Sequence, residues 1–418
     1  MKIRLHSIKL WIAVHALLLF FIRPLQTLIT GHSNLIEDLD RGVYIAVWVF
    51  TLVALALFLA GLGRIRFPRY HAAEEEKKIG LGRFFTVLAI WFAVWLMLLR
   101  SKFSGFDMAA LLDSSDEYIH GKSIFLINTV TLLIGFFIVK SYSLRCPAML
   151  RFCIRWFLVV LGLAAGVLSG SKTLALYPCF IILLHRSIVK DGFSAWRIGA
   201  IIAFLMPLLA LMNIVRHGGV MSIGDALTGA EFFETIIPAV VERFYGVDVI
   251  YEIVRHHTLL NKEYFYGQSL MQIVYAFIPS SLWADKPVIS FGKIVSEEYL
   301  PAVFHGLGIS AAPTIIGELF ANFSWASVIL LPFLGYGFGR HMRNVTSKFN
   351  DVSSHYKEYY LIAFTTLAFI LEVSIVGWVV QLIASYIGAY LLNALMNFGK
   401  TNISKHLASR SEVSPGPV

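Results

Sequence analysis

Residues 43–63 read VYIAVWVFTLVALALFLAGLG, an uncharged run of apolar and small residues interrupted only by Thr51. About 20 such residues are needed for a helix to cross roughly 30 Å of hydrocarbon, where the backbone must satisfy its own hydrogen bonds. The run is therefore expected to span a membrane. Moving outward in both directions, the other long apolar runs have similar length. Ten spans are expected, near residues 10–30, 43–63, 84–99, 123–140, 155–170, 173–189, 198–215, 324–339, 358–373 and 376–397. The strands of a membrane barrel would instead give short alternating segments, and this chain lacks that pattern.

The composition agrees with this reading. Of 418 residues, 57% are apolar, 14% aromatic and only 15% charged, with a mean hydropathy of +0.72, more than a water-soluble core of this size requires. The basic start, residues 1–9, leads into an apolar stretch that passes Arg23 and Pro24 without a small-residue cleavage pattern, so it reads as a retained first span. Cys146, Cys153 and Cys179 match no metal-ligand spacing, and neither a disulfide nor a zinc site is expected.

Charge placement sets the expected orientation. Of the 35 Lys and Arg, 23 fall in segments 1–9, 64–83, 140–155, 186–197, 340–357 and 400–418, and 11 in segments 31–42, 100–122, 171–172 and 216–323. Positive charge is retained on the cytoplasmic side, so the first group is expected inside, with both termini cytoplasmic, and the large polar segment outside, which is the periplasm if the host is a Gram-negative bacterium. The net charge of +9 is thus spread over short loops, which argues against a nucleic-acid partner. The expected fold is an all-α integral membrane protein. Helices 1–7 lie in residues 1–215, a large periplasmic loop domain in 216–323, helices 8–10 in 324–400, and a disordered cytoplasmic tail in 401–418.

The large outer segment is where chemistry is expected. It is not basic overall, since residues 216–322 hold six Lys/Arg against eleven Asp/Glu, so an anion site there must come from local clustering. Residues 231–257 show apolar positions at helical spacing, with Pro238 and Gly246 as breaks, and suggest amphipathic helices lying over the bundle. Residues 264–317, rich in Gly, Pro, Ser and aromatics, suggest ordered loop with short helices.

Several side chains stand out there and in one short turn. Lys172 lies in the tight turn Gly170-Ser171-Lys172-Thr173, where the next helix start would add unpaired N–H groups for an anion; interfacial snorkelling is the plainer alternative. Arg216 ends the seventh expected span and could equally be an interfacial anchor. Arg243 has aromatic and glycine neighbours and no acidic residue on its helical face. Arg255 follows Glu252 by three positions, which a surface ion pair would explain. One of His256 and His257 could act as a general base, because a neutral imidazole accepts a proton near pH 7. Lys286 is held between Trp283-Ala284-Asp285 and Pro287. Glu318 is the single carboxylate in the apolar stretch Pro313 to Phe323, a setting that suits either a general base or a structural ion pair. No glycine-rich phosphate loop ending in Gly-Lys-Ser/Thr is present, so ATP chemistry has no support.

The stretches Tyr266-Gly267-Gln268-Ser269, Ile278-Pro279 to Trp283-Ala284-Asp285-Lys286-Pro287, Gly308-Ile309-Ser310 and Pro313 to Phe323 resemble the Wzy-type O-antigen polymerases, as do Arg243 to Asp248 and the Ser171-Lys172-Thr173 turn. The resemblance covers about 150 residues closely and implies a build like the GT-C lipid-linked glycosyltransferases. It also implies a metal-independent and cofactor-free glycosyl transfer, from an undecaprenyl-diphosphate-linked donor to a lipid-linked acceptor repeat unit, with a separate chain-length regulator as a candidate partner. On that footing Lys172, Arg216, Arg243, Arg255 and Lys286 would bind the diphosphate. Glu318 or His257 would take the acceptor proton, with Arg243 assisting catalysis. Tyr245, Asp248, Tyr266 and Trp283 would contact sugar. An O-antigen ligase shares the donor and remains open. A lipid-linked oligosaccharide flippase is a third reading, which pairing of Arg23 with Glu372 across the membrane would favour.

Overall fold

The computed structural model describes residues 2–3, 8–33, 35–36, 38–65, 79–102, 128–168, 172–190, 193–194, 245–276, 278, 283, 291–301, 313–349, 356–368, 371 and 373–397. These are almost wholly helical; the strands are the two-residue pair Lys2–Ile3 and Phe193–Ser194. The helices are α1 (Ile8–Leu17), α2 (Arg23–Thr30), α3 (Arg41–Leu62), α4 (Leu81–Lys102), α5 (Ile134–Lys140), α6 (Ala148–Leu168) and α7 (Lys172–Lys190). They continue with α8 (Gly246–Thr258), α9 (Gln268–Ala276), α10 (Phe291–Ile294), α11 (Ile315–Phe323), α12 (Ser327–Ser347), α13 (Tyr356–Ala368) and α14 (Ile375–Asn397).

Six stretches among the described residues are long and apolar enough to cross a membrane: Trp11–Thr30, Arg41–Leu62, Leu81–Leu98, Ala148–Gly166, Ile315–Ser347 and Ile375–Asn397. Tyr177–Ile188 is a shorter apolar helix. The span expected at 198–215 lies outside the described residues. The spans expected at 123–140 and 358–373 correspond in part to α5 and α13, which are 7 and 13 residues long.

Local chemistry explains the shape of the first span. Pro24 has no N–H to give the carbonyl of Phe20 one turn earlier, and the helix widens into a π-turn over Leu18–Ile22. The orphaned Phe20 oxygen instead accepts the indole N–H of Trp48 on α3. Helix α3 starts on Asp40, whose carboxylate accepts the N–H groups of Gly42 and Val43 at 2.8 and 3.1 Å, an N-cap in the ordinary sense. One face of α3 buries Tyr44, Val47, Phe50, Ala54, Phe58 and Leu62, while Ile45, Val49 and Val53 are about half exposed. An apolar outer face of that kind fits contact with lipid.

Helix α12 packs closely along α3. A Cβ placed on Gly335 would lie 2.2 Å from the Phe58 carbonyl oxygen, one on Gly339 would lie 2.1 Å from that of Leu62, and one on Gly61 would lie 2.0 Å from that of Pro332. Without a hydrophobic drive between helices in lipid, this backbone approach is the main source of packing energy. Arg343 then donates to the Leu62 carbonyl at 3.1 Å, satisfying a group that the end of α3 leaves unpaired. Lys140 at the end of α5 pairs with Glu358 at the start of α13 at 2.5 Å.

Two expectations change. Helix α11 runs into α12 through the 3-10 turn Ser324–Ala326, so the long apolar unit begins at Ile315 and the boundary expected at 323/324 falls inside it. The polar Glu318 and Asn322 had hidden its start in the sequence. Of the stretch 231–257 expected to lie over the bundle, residues 231–244 lie outside the described residues and most of the rest, in α8, is enclosed. Residues 246–254 are all buried, against the first span, α3 and α11, with Gly246 facing Phe20 at 3.0 Å for a placed Cβ.

Candidate functional site

Helix α8 organises the polar interior. Near its start, Asp248 is fully buried and accepts hydrogen bonds from Tyr44 at 2.5 Å and Ser33 at 2.7 Å, with the buried Arg23 Nε at 3.7 Å. Both carboxylate oxygens are thus taken by protein groups. Asp248, expected to meet sugar, ties α8 to α2 and α3 instead. Arg23 is paired with Asp248 and also donates to Gln26 at 3.0 Å; the partner that the flippase reading needed, Glu372, lies outside the described residues.

At the other end of α8, basic groups collect where a helix C-terminus favours positive charge. Asn261, at a left-handed φ of 53°, turns the chain so that Lys262 N–H donates to the His256 carbonyl at 3.0 Å. Lys262 Nζ then sits 2.7 Å from Glu298 and 4.0 Å from the ring centre of Tyr299. Arg255 bridges Glu252 at 3.4 Å and Asp38 at 3.7 Å, and His256 lies 3.9 Å from Glu252. The expected ion pair of Arg255 with Glu252 is therefore present, though Glu252 is buried and not on the surface. Asp38 and Asp40 share the spacing of an acidic metal pair, but they serve different tasks, one facing Arg255 and the other capping α3.

The two histidines differ. His257 is buried, stacked on Tyr264 at 4.5 Å, with Nδ1 at 2.9 Å from the Lys262 carbonyl and Nε2 at 2.8 Å from the Tyr299 hydroxyl. A carbonyl only accepts, so Nδ1 carries the proton and Nε2 accepts from Tyr299. Its lone pair is thereby occupied. His256 is the more open ring. Burial, followed by the charges of Lys262 and Arg255, holds its imidazole below the usual range, and burial does the same to His257. Both are neutral at pH 7, which is the proton-accepting form.

Glu318 sits in a second buried cluster. Thr314, at a φ of 55°, caps α11 by accepting the Gly317 N–H at 3.0 Å. Glu318 Oε2 accepts the Ile375 N–H at the start of α14, and Oε1 accepts from Ser269 on α9 at 3.3 Å. Asn322 donates to Ser269 at 2.7 Å and accepts the Gly267 N–H at 3.0 Å. With no exposed surface, the carboxylate joins α9, α11 and α14. Replacing it by alanine should cost about 1–3 kcal/mol, because two buried donors lose their acceptor. Glu318→Gln should keep the fold, measured as a melting temperature close to that of the wild type. Loss of function in a Gln variant as stable as wild type would support the expected general-base role of Glu318.

Three of the other expected site residues are described in full. Tyr266 is 77% exposed at a φ of 48°, Tyr245 is half-buried before α8, and Trp283 packs edge-on against Tyr275 at 5.1 Å. Lys172 begins α7, but its side chain, like the whole of Arg216, Arg243 and Lys286, lies outside the described residues. Residues that sequence reasoning missed include Tyr299, Lys262 and Ser269. Each looks ordinary alone, and only the fold brings it to a partner. Comparison with protein-family models, with curated proteins and with solved structures gives no match to this chain.

Proposed function

We propose that this protein is a Wzy-type repeat-unit polymerase, extending a polysaccharide on undecaprenyl diphosphate at the outer face of a bacterial inner membrane. The observation that carries the reading is the gathering of Arg255, His256 and Lys262 at the end of α8, where the two cations lie 3.4 Å from Glu252 and 2.7 Å from Glu298, carboxylates that an arriving anion would displace. The resemblance in sequence supplies the substrate class. In this reading Arg255 and Lys262 hold the lipid diphosphate, a good leaving group that needs charge stabilisation more than any other help. Arg255 offers a fork of donors that fits phosphate oxygens. Neutral His256 takes the proton from the acceptor hydroxyl. Arg243, Arg216, Lys172 and Lys286 are further candidates for the diphosphate.

The test is the lipopolysaccharide ladder of a deletion strain. A single repeat unit on the core is expected, returned to a full ladder by the wild-type gene and to a ladder at least tenfold weaker by Arg255→Ala. Bare core would indicate a ligase. An unchanged ladder would reject both enzymatic readings.

A further inference from the structure

Helix α12 exposes a single stripe that changes character along its length. Ile329, Phe333 and Tyr336 are 66%, 69% and 53% exposed, and Arg340 and Asn344 continue the same face at three- and four-residue steps, the spacing of one side of a helix. At the polar end lies an open groove of about 680 Å³, lined by Gly337, Arg340, His341, Arg343, Asn344 and Ser347. Among the described residues that lining contains two guanidinium groups and no carboxylate. Arg343 is held in place by the Leu62 carbonyl at 3.1 Å and lies 5.8 Å from the Tyr336 ring. Arg340 is exposed.

We infer that this stripe is a binding site for one acidic phospholipid, with the headgroup phosphate on Arg340 and Arg343 and an acyl chain along Tyr336, Phe333 and Ile329. Three observations point to lipid as the occupant. The helix belongs to a stretch long and apolar enough to cross a membrane. The distance from Ile329 to Arg340 is about 16 Å at the helical rise, close to the roughly 15 Å of a single leaflet's hydrocarbon. The cationic groove lies at the end of the apolar stripe, as a phosphate lies at the end of its chains. Guanidinium groups bind phosphate oxygens through paired, charge-assisted hydrogen bonds, and a zwitterionic headgroup would offset that attraction with its own cation.

The test uses the full chain, delipidated in a zwitterionic detergent and titrated with a fluorescent phosphatidylglycerol. Phosphatidylglycerol should bind at least about tenfold more tightly than phosphatidylcholine, and Arg340→Gln should remove most of that preference. Arg340 packs against little, so the variant should keep the wild-type melting temperature. Phe333→Ser supplies a second arm that should weaken both lipids alike, by loss of chain contact. Equal binding of the two lipids, or an unaltered Arg340→Gln variant, would overturn the inference. Displacement of the lipid by inorganic phosphate at comparable concentration would assign the groove to a free anion instead. A change from dimer to monomer in Phe333→Ser, without loss of lipid, would assign the stripe to a second copy of the chain.

Discussion

Replacing Asp248 by alanine is expected to cost about 3–5 kcal/mol and to remove most of the folded chain from the membrane. The carboxylate is fully buried, opposite a buried Arg23, and it is also the acceptor for Tyr44 and Ser33. Its loss leaves a buried guanidinium without its counter-charge, the circumstance in which breaking an ion pair is most damaging. Asp248→Asn keeps acceptor capacity for one hydroxyl but not the charge, and should be intermediate. The double variant Arg23→Met with Asp248→Ala should recover part of the loss, since no lone charge then remains inside. Denaturant unfolding of the purified protein in detergent would measure all three. A single alanine variant as stable as wild type would mean that the Arg23–Asp248 contact does not hold α8 in the bundle.

Gly335→Ala and Gly339→Ala should each destabilise the protein by about 1–3 kcal/mol, the range for overpacking a tight contact. The obstructing atoms are backbone carbonyls of α3, at 2.2 and 2.1 Å from the added carbon. Backbone cannot rotate aside as a long side chain can, so α12 must move as a whole. That would also pull Arg343 away from the Leu62 carbonyl. Gly337 is the internal control, because a Cβ there meets nothing within 4 Å. Gly337→Ala should be neutral or stabilising by up to about 1 kcal/mol through helix propensity. Three equal melting temperatures would show that α3 and α12 do not meet through their glycines.

Much of this architecture was legible from residue order because lipid imposes a length and a polarity on each helix. The runs at 43–63 and 376–397 needed no partner to be recognised, and both appear as helices, Arg41–Leu62 and Ile375–Asn397. Asp40 could likewise be read as a local cap, because the N–H groups that donate to it lie two and three residues away. Helix α11 was harder, since Glu318 and Asn322 interrupt its apolar pattern and find side-chain partners far away in sequence, on α9 and at the start of α14.

The site shows the same division more sharply. Single residues advertised chemistry: a lone carboxylate in an apolar stretch, two adjacent histidines, an arginine three positions after a glutamate. The roles depended on neighbours far along the chain. Asp248 meets Ser33 and Tyr44 across more than 200 residues, and His257 meets Tyr299 across 42. Local order alone determined that the protein is built of apolar helices, because hydrocarbon penalises every unpaired backbone group. Which polar side chains are enclosed as ties and which stay open to a ligand was decided only by tertiary packing, because burial and pairing are properties of distance in space, and a one-dimensional order does not contain them.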